Sequence, residues 1–172
     1  DVCSSDLMGA DNLSGNMLYG LTAGFVQEDY DFTADQNGFD LEGWNLGGYA
    51  GWSSGSFFIN GLLKADWYSI DANMRTAPAM SHADGMTWGA KGEAGFRFGG
   101  AGLWLEPTAD IAWTSTKIDD VTFPSFAVKF TYDDATSLKG SIGARLGTNW
   151  GAIAPYVGLY AVEEFEGENT MT

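Results

Sequence analysis

The chain has 172 residues and a formal net charge of −15, and hydrophobic residues make up 45% of it. The length fits one domain, the apolar content excludes a disordered chain, and the acidity excludes nucleic-acid binding through clustered Lys and Arg. The 24 glycines and 4 prolines favour strands, tight turns and close packing. The single cysteine, Cys3, excludes an internal disulfide.

The first seven residues have a separate interpretation. Residues 1–7 read as the in-frame translation of the end of a sequencing adapter. We therefore interpret 1–7 as an artefact and exclude it from the fold, as one excludes a tag. A natural disordered N-terminus is the alternative. If the artefact interpretation is right, we expect the true chain to begin upstream.

Seven segments alternate apolar and polar residues with a period of two, which is typical of half-buried antiparallel strands. They lie at 17–26, 44–52, 57–68, 88–98, 103–114, 138–146 and 153–165. In the last segment Tyr156, Tyr160 and Val162 make both faces apolar. The uncharged run at 43–63 is long enough for a membrane helix, but the glycines and serines at its centre are typical of a turn.

The connections between these segments alternate in length. In chain order they are long at 28–40, 69–85 and 116–136, and short at 53–56, 99–102 and 147–151. The long connections carry many aspartates, and the short ones contain no acidic residue. Outer-membrane barrels have short periplasmic turns and long outer loops, whereas a soluble sandwich has no reason to sort its loops this way. The pattern predicts an all-β antiparallel meander belonging to a transmembrane β-barrel.

The segment 123–132 is a further strand candidate. A separate membrane strand there would break the alternation of long and short connections, so we expect a hairpin arm that extends the long loop. This leaves about seven membrane strands. Because single-chain bacterial barrels have even strand numbers, we expect the chain to be part of an incomplete barrel.

The period-two alternation also predicts which side chains face the lumen. Charged residues facing a dry core would each cost roughly several kcal/mol unless paired, whereas a wet lumen tolerates them. Because both signs occur, a cross-strand ion network that stiffens the wall remains open beside a selectivity filter or a contact surface for a threaded polypeptide. The predicted lumen-facing charges are Lys64, Asp66, Lys91, Glu93, Arg97, Glu106, Asp110, Lys139 and Arg145.

Tryptophans recur near the predicted strand ends. Their rings are apolar with one polar atom and favour the lipid headgroup level, so we expect an aromatic girdle; the alternative is a soluble core filled by these rings. The predicted girdle consists of Trp52, Trp67, Trp88, Trp113 and Trp150.

Little in the sequence points to catalysis. His82 is the only histidine, and it falls in a predicted long loop near Ser81 and Asp84, so a surface hydrolase is the enzyme hypothesis. Such sites need partners that converge from several strands, and we expect no enzyme. We also expect no metal site and no cofactor, because the chain has no Cys/His pair and no calcium loop of the 12-residue kind.

Several motifs together resemble the barrel domain of the autotransporter (type V secretion) family. Each motif is weak alone, but their order and spacing are fairly specific and they cover nearly all of residues 18–167. Two of them read Gly-Glu-Ala-Gly-Phe-Arg-Phe and Leu-Glu-Pro-Thr-Ala. The motifs lie at 47–50, 57–61, 92–98, 105–109, 137–147, 155–159 and 164–167.

The resemblance implies that residues 8–172 are an internal part of a twelve-strand barrel. Such a barrel sits in the outer membrane of a Gram-negative bacterium, anchors a passenger domain and takes part in its secretion. The implied partners are outer-membrane lipid and lipopolysaccharide, the barrel-assembly machinery and the protein's own passenger domain in cis. The family often has Asp where Asn60 stands and Arg where Ser141 stands, and its last strand ends in an aromatic residue whereas this chain ends at Thr172.

Two other functions remain open from the residues alone. A small outer-membrane porin or structural barrel shares every physical feature above, and a long passenger upstream would exclude it. A soluble barrel of lipocalin type would have an apolar interior and a charged exterior, which is the reverse of the expected arrangement.

Overall fold

The computed structural model describes residues 2–32, 37–73, 81–100, 102–123, 128–131, 133–151 and 153–168. Its strands are β1 (Val2–Ser14), β2 (Met17–Phe32), β3 (Asn37–Ser54), β4 (Phe57–Asn73), β5 (Ser81–Phe96), β6 (Phe98–Gly99), β7 (Leu103–Ile118), β8 (Val121–Phe123), β9 (Val128–Phe130), β10 (Ala135–Thr148) and β11 (Tyr156–Glu168). The described part contains no helix that is long and apolar enough to cross a bilayer.

The main sheet is a meander in which each strand pairs antiparallel with the next. Its order is β1-β2-β3-β4-β5-β7-β10-β11, with the short β6 also paired to β7. The predicted antiparallel meander is therefore confirmed. The hairpin prediction for 123–132 is confirmed where the structure describes it, because β8 and β9 pair with each other in a sheet of their own; residues 124–127 and 132 lie outside the described residues.

The sheet does not close on itself. Among the described ladders none joins β11 to β1, so β1 and β11 are both open edges. This confirms the incomplete barrel. The argument from an odd strand number does not hold, however, because the described residues form eight long strands.

The additional long strand is β1, which precedes the first predicted strand along the chain. The edge lies on β1, which pairs with β2 from Val2↔Asp29 to Ser14↔Met17. Residues 8–14 escaped prediction because Gly, Asp and Asn have low strand propensity, whereas backbone hydrogen bonds to the edge of β2 form with any side chain. Because backbone pairing does not depend on the side chains, the pairing of β1 does not test the adapter interpretation of residues 1–7, which stays a prediction.

Glycines begin two tight turns that join long neighbouring strands. Gly15 and Gly55 each have φ of 59° and occupy the first position of two-residue hairpin turns between β1 and β2 and between β3 and β4. Primed turns need this positive φ because their twist matches that of the flanking strands. These turns mark one end of the sheet, which we call the short-turn end; the opposite end is the distal end.

The strands extend farther toward the distal end than predicted. β3 begins at Asn37 and β4 continues to Asn73, so much of the predicted long connections is strand. His82 is therefore not in a loop: it belongs to β5 and pairs with Asp71 of β4. The cause is cross-strand pairing, which carries polar residues into a ladder that their own propensity does not favour.

Candidate functional site

A row of three charged side chains crosses the sheet near the short-turn end. Arg145 is directly opposite Glu106, and Arg97 lies on the other side of Glu106. Arg97 Nε donates to Glu106 Oε2 at 2.6 Å, and Arg145 Nη1 donates to Glu106 Oε1 at 3.2 Å. The Glu106 side chain is only 2% exposed, so a fully desolvated carboxylate is neutralised by two guanidiniums.

Other contacts extend this row into a network. Arg145 Nη2 donates to Glu93 Oε1 at 2.9 Å, and Arg145 Nε donates to the Tyr160 hydroxyl at 2.7 Å. On the other side, the Arg97 guanidinium lies 4.4 Å from the centre of the buried Trp104 ring, a cation–π contact. The network therefore ties β5, β7, β10 and β11 together.

Smaller ion pairs continue toward the distal end. Lys91 Nζ lies 3.4 Å from Asp110 Oδ1, and the Ser141 hydroxyl donates to the other oxygen of the same carboxylate. Lys64 Nζ lies 2.7 Å from Asp66 Oδ1. Each cation thus has an anion within reach, which lowers the cost of removing these charges from bulk water.

Lys139 completes the set of charges on this face. Its Nζ lies 3.8 Å from Glu164 Oε1, and the Ser137 hydroxyl donates to the same oxygen at 2.7 Å. The strand registers place eight of the nine sequence-predicted charges on one face of the sheet, and the bond to Glu106 places Arg97 there too. We call this the charged face.

The charged face is the concave one. A cavity of about 550 Å³ on it is lined by Leu13 of β1, Phe58 of β4, Arg97, Glu106 and Arg145 of β10. Trp104 on this face is only 5% exposed, whereas Leu63 and Ile142 on the opposite face are 67% and 68% exposed, a difference expected when a single sheet curves toward its charged face. Curvature also explains how Glu106 is buried within a single layer of strands.

Aromatic rings cover glycines on the charged face. Tyr49 covers Gly20 on the adjacent strand, where an added Cβ would lie 2.7 Å from the ring. The same relation joins Tyr68 to Gly85, Phe58 to Gly95, Tyr160 to Gly143 and Trp104 to Gly147. Each glycine supplies the space that a neighbouring ring fills, so these pairs hold adjacent strands together.

The opposite face is apolar and exposed. Alternation along the strands places there the side chains next in sequence to the charged ones, such as Leu63 beside Lys64 and Leu105 beside Glu106. A groove of about 1090 Å³ crosses this face. Its exposed large side chains include Leu46, Ile59, Leu63, Phe96, Leu105, Ile111 and Leu146.

A strip of tryptophans crosses the apolar face on four consecutive strands of the sheet. Trp44 of β3 stacks on Trp67 of β4 with ring centres 4.2 Å apart, and Trp67 meets Trp88 of β5 edge-on at 6.3 Å. Trp113 of β7 is directly opposite Ala90, and Ala90 is the next residue after Trp88 on the same face of β5. We call Trp44, Trp67, Trp88 and Trp113 the tryptophan strip; Trp44 was absent from the predicted girdle.

A second group of aromatic residues lies near the short turns. Trp52 meets Phe57 edge-on with ring centres 6.2 Å apart, while Trp150 lies outside the strands in an isolated bridge with Ile153. Eight residues separate Trp52 from Trp44 on β3, which is about 26 Å at ~3.3 Å per residue. That spacing fits the strand length of ~9–11 residues that crosses a membrane.

Beyond the tryptophan strip the outward face changes from apolar to acidic. Glu42 follows Trp44 in the outward row of β3, opposite Ser69 of β4. One step farther, Asp29, Asp40 and Asp71 lie directly opposite one another on β2, β3 and β4. An abrupt change of this kind is expected where a strand leaves hydrocarbon for water.

At the distal end His82 bonds with two carboxylates of this outward face. His82 Nδ1 lies 2.8 Å from Asp71 Oδ1, and Nε2 lies 3.3 Å from Asp84 Oδ1. The hydrogen bond with Asp71 and then the charge of Asp84 raise the pKa of His82 above its ordinary 6.5. Ser81, the nucleophile candidate of the enzyme hypothesis, is the neighbour of His82 in β5.

Several members of the site were missed from the sequence. Trp104 alternates in phase with Glu106, so its position on the charged face could have been read from the same period. The partners Tyr160 and Glu164 could not, because β11 reads as apolar on both faces. Within the described residues, no three His, Cys, Asp or Glu side chains come together as a metal site.

These features define a class of protein: a curved wall of antiparallel strands with an apolar outside, a charged inside and aromatic borders is a section of a transmembrane-type β-barrel. The autotransporter beta-domain family model matches residues 7–172, so the chain belongs to that family. A comparison with curated proteins gives no match.

Two solved structures resemble this chain. The beta domain of the Bordetella autotransporter BrkA is 25% identical, with a TM-score of 0.70 over 95% of this chain and 70% of its own. The transport unit of the autotransporter AIDA-I from Escherichia coli is 13% identical, with a TM-score of 0.68 over 98% of this chain and 66% of its own. The second likeness shows the fold alone.

Proposed function

We propose that this chain is part of an outer-membrane translocator barrel that anchors a passenger domain and takes part in its secretion. The observation that carries the proposal is the match to the autotransporter beta-domain family over residues 7–172. In this role the barrel supplies a sealed wall and a hydrated lumen and performs no bond chemistry, so no side chain acts as a catalyst.

The nine charges of the concave face would then line the lumen. Facing water, a paired charge keeps part of its hydration and costs little. The pairs found support the stiffening role: the Arg97–Glu106–Arg145 row fastens three neighbouring strands where the passenger's connecting segment would pass. The part of each cation left exposed, such as half of the Arg97 side chain, would also touch that segment.

The apolar face would contact lipid. The tryptophan strip would lie at the outer headgroup level, and Trp52 and Trp150 would lie at the periplasmic level. The acidic outward row beyond the strip would then lie among lipopolysaccharide headgroups. Assembly of such a wall would need the barrel-assembly machinery, because its edges are exposed until closure.

A small porin or structural outer-membrane barrel is the second candidate. The charged concave face favours it equally, since a polar lumen serves diffusion as well as secretion. The two functions differ in what the complete protein displays outside the cell.

The test uses the complete open reading frame expressed in a Gram-negative host. Secretion predicts a passenger domain at the cell surface that added protease removes from intact cells, and that stays inside when 8–172 is deleted. A matched variant, Lys117→Gln at an exposed ion pair distal to the membrane region, should display normally. The porin function would be favoured instead if the complete reading frame encodes no passenger and the purified barrel makes liposomes permeable to small solutes.

A further inference from the structure

His82 is held between two carboxylates in a geometry that specifies its protonation state. Its two ring nitrogens lie 2.8 Å from an oxygen of Asp71 and 3.3 Å from an oxygen of Asp84. An ionised carboxylate only accepts hydrogen bonds, and a neutral imidazole has a single N–H to donate. Only the imidazolium can donate to both residues at once.

The strands packed beside His82 carry a row of carboxylates that this cation would stabilise. Asp71 is directly opposite Asp40 on β3, and Asp40 is directly opposite Asp29 on β2. Glu42 lies on the same outward face, two residues from Asp40. Like charges placed directly opposite each other destabilise a sheet, so the outer ends of these strands repel one another unless a cation intervenes.

The opposite flank of His82 is acidic as well. The backbone N–H of Asp119 donates to the carbonyl of Asp84 at 2.9 Å, which brings another carboxyl-bearing residue beside β5. Lys117 of β7 is opposite Met86, and its Nζ is 2.6 Å from Asp134 Oδ2. Arg75 belongs to residues 74–80, outside the described part of the chain.

We propose that His82 is a pH-operated clasp, which holds the distal ends of β4 and β5 together when protonated and releases them when it loses its proton. This inference does not depend on the transport role, since it concerns the part of the sheet beyond the tryptophan strip. Deprotonation leaves one ring nitrogen lone pair facing a carboxylate and returns the aspartate row to mutual repulsion.

The direction of the pH dependence follows from the pKa. The hydrogen bond with Asp71, followed by the charge of Asp84, raises the pKa of His82 in the folded state above 6.5. The clasp therefore stabilises the distal ends fully below pH 6.5, and its contribution is lost as pH rises through the raised value. Because these groups are exposed, we expect the equilibrium constant for local opening of the distal ends to change only about two- to fivefold.

The experiment is hydrogen exchange of residues 69–73 and 81–85 in the complete folded barrel in detergent, between pH 5.5 and 8.5, corrected for intrinsic exchange rates. Protection in the wild type should fall about two- to fivefold as His82 deprotonates. His82→Lys keeps a cation at every pH and should stay protected throughout. His82→Gln never carries a charge and should stay at the low level throughout.

A second measurement reads the histidine itself. Its NMR signal, assigned by subtraction of the His82→Gln spectrum after histidine labelling, should titrate above 6.5, and Asp71→Asn should lower that value. Arg75→Gln should leave the transition in place. A titration at or below 6.5, an equal pH response in His82→Gln, or loss of the transition in Arg75→Gln would each overturn the clasp.

Discussion

Glu106 is the most buried of the charges that we predicted from the sequence, with a side chain only 2% exposed. It is buried between two arginines that approach from opposite sides, one of which also stacks on Trp104. Its burial is a consequence of curvature, because residues on a concave face cover one another. The residue is thus a joint between strands as well as part of the lining.

Replacing Glu106 by Gln should destabilise the barrel strongly. The variant keeps the shape but leaves two guanidiniums facing each other, and breaking a buried pair costs about 3–5 kcal/mol. We expect the low end, about 3 kcal/mol, because Arg97 stays partly in water. The loss is measured as the change in the free energy of unfolding in detergent micelles. Glu164→Gln is the exposed control and should cost about 0–1 kcal/mol. Equal losses in the two variants would contradict a special role for Glu106 in joining the strands.

At the scale of the elements, the glycines of the sheet differ in the space around them. Some glycines of the charged face are covered by a ring from the next strand, as Trp104 covers Gly147. On the apolar face Gly61 and Gly92 are open, and an added Cβ would meet nothing closer than 4.0 Å. The same residue type therefore has different consequences at different positions of one sheet.

Glycine-to-alanine variants should separate these two classes. Gly147→Ala must displace the buried Trp104 ring, and we expect a loss of about 1–3 kcal/mol in the free energy of unfolding, as for other overpacked sites. Gly61→Ala fits without a clash and removes flexibility from the unfolded chain, so it should be neutral or stabilise by up to about 1 kcal/mol. Chemical denaturation of both variants gives the two free energies of unfolding. If Gly61→Ala lowers this free energy as much as Gly147→Ala does, the distinction between covered and open glycines is wrong.

The strands also change environment along their length, from the apolar band to the acidic distal rows. Leu63→Arg places a charge in the middle of the band, opposite Gly48, which is halfway between Trp44 and Trp52 on β3; an arginine at the bilayer midplane costs roughly 2–4 kcal/mol. Ser69→Arg places the same charge beyond the tryptophan strip, where the cost falls to about 0–1 kcal/mol. Unfolding from liposomes gives both values, and a similar cost at the two positions would place the membrane boundary elsewhere.

The whole molecule is an open sheet with two unpaired edges, β1 and β11. In hydrocarbon each unpaired backbone group costs several kcal/mol, by rough estimate. In water the apolar face exposes far more contiguous surface than a soluble monomer tolerates. The described strands are therefore stable in neither solvent without further pairing.

We accordingly expect residues 8–172, produced alone, neither to insert as a heat-resistant barrel nor to remain a soluble monomer. Refolding into detergent or liposomes, followed by gel mobility with and without boiling, tests this. A protease-resistant monomer whose mobility changes on boiling would show a complete small barrel, and the porin function would then take first place.

The sequence by itself determined the two faces, the meander and the hairpin arm. Period-two alternation and connection length are local properties, and they survive in any register that keeps the apolar residues on one side. They were enough to bring Glu93, Glu106 and Arg145 to one face before any contact was known.

Only the tertiary structure decided which residues meet. Arg145 bonds with Glu93 across 52 positions of sequence, and no local pattern specifies such a contact. Strand β1 joined the sheet because β2 offered an unpaired edge, not because of its own propensity. The bonds of His82 likewise depend on the register of β4 against β5, because cross-strand pairing is a property of two segments together.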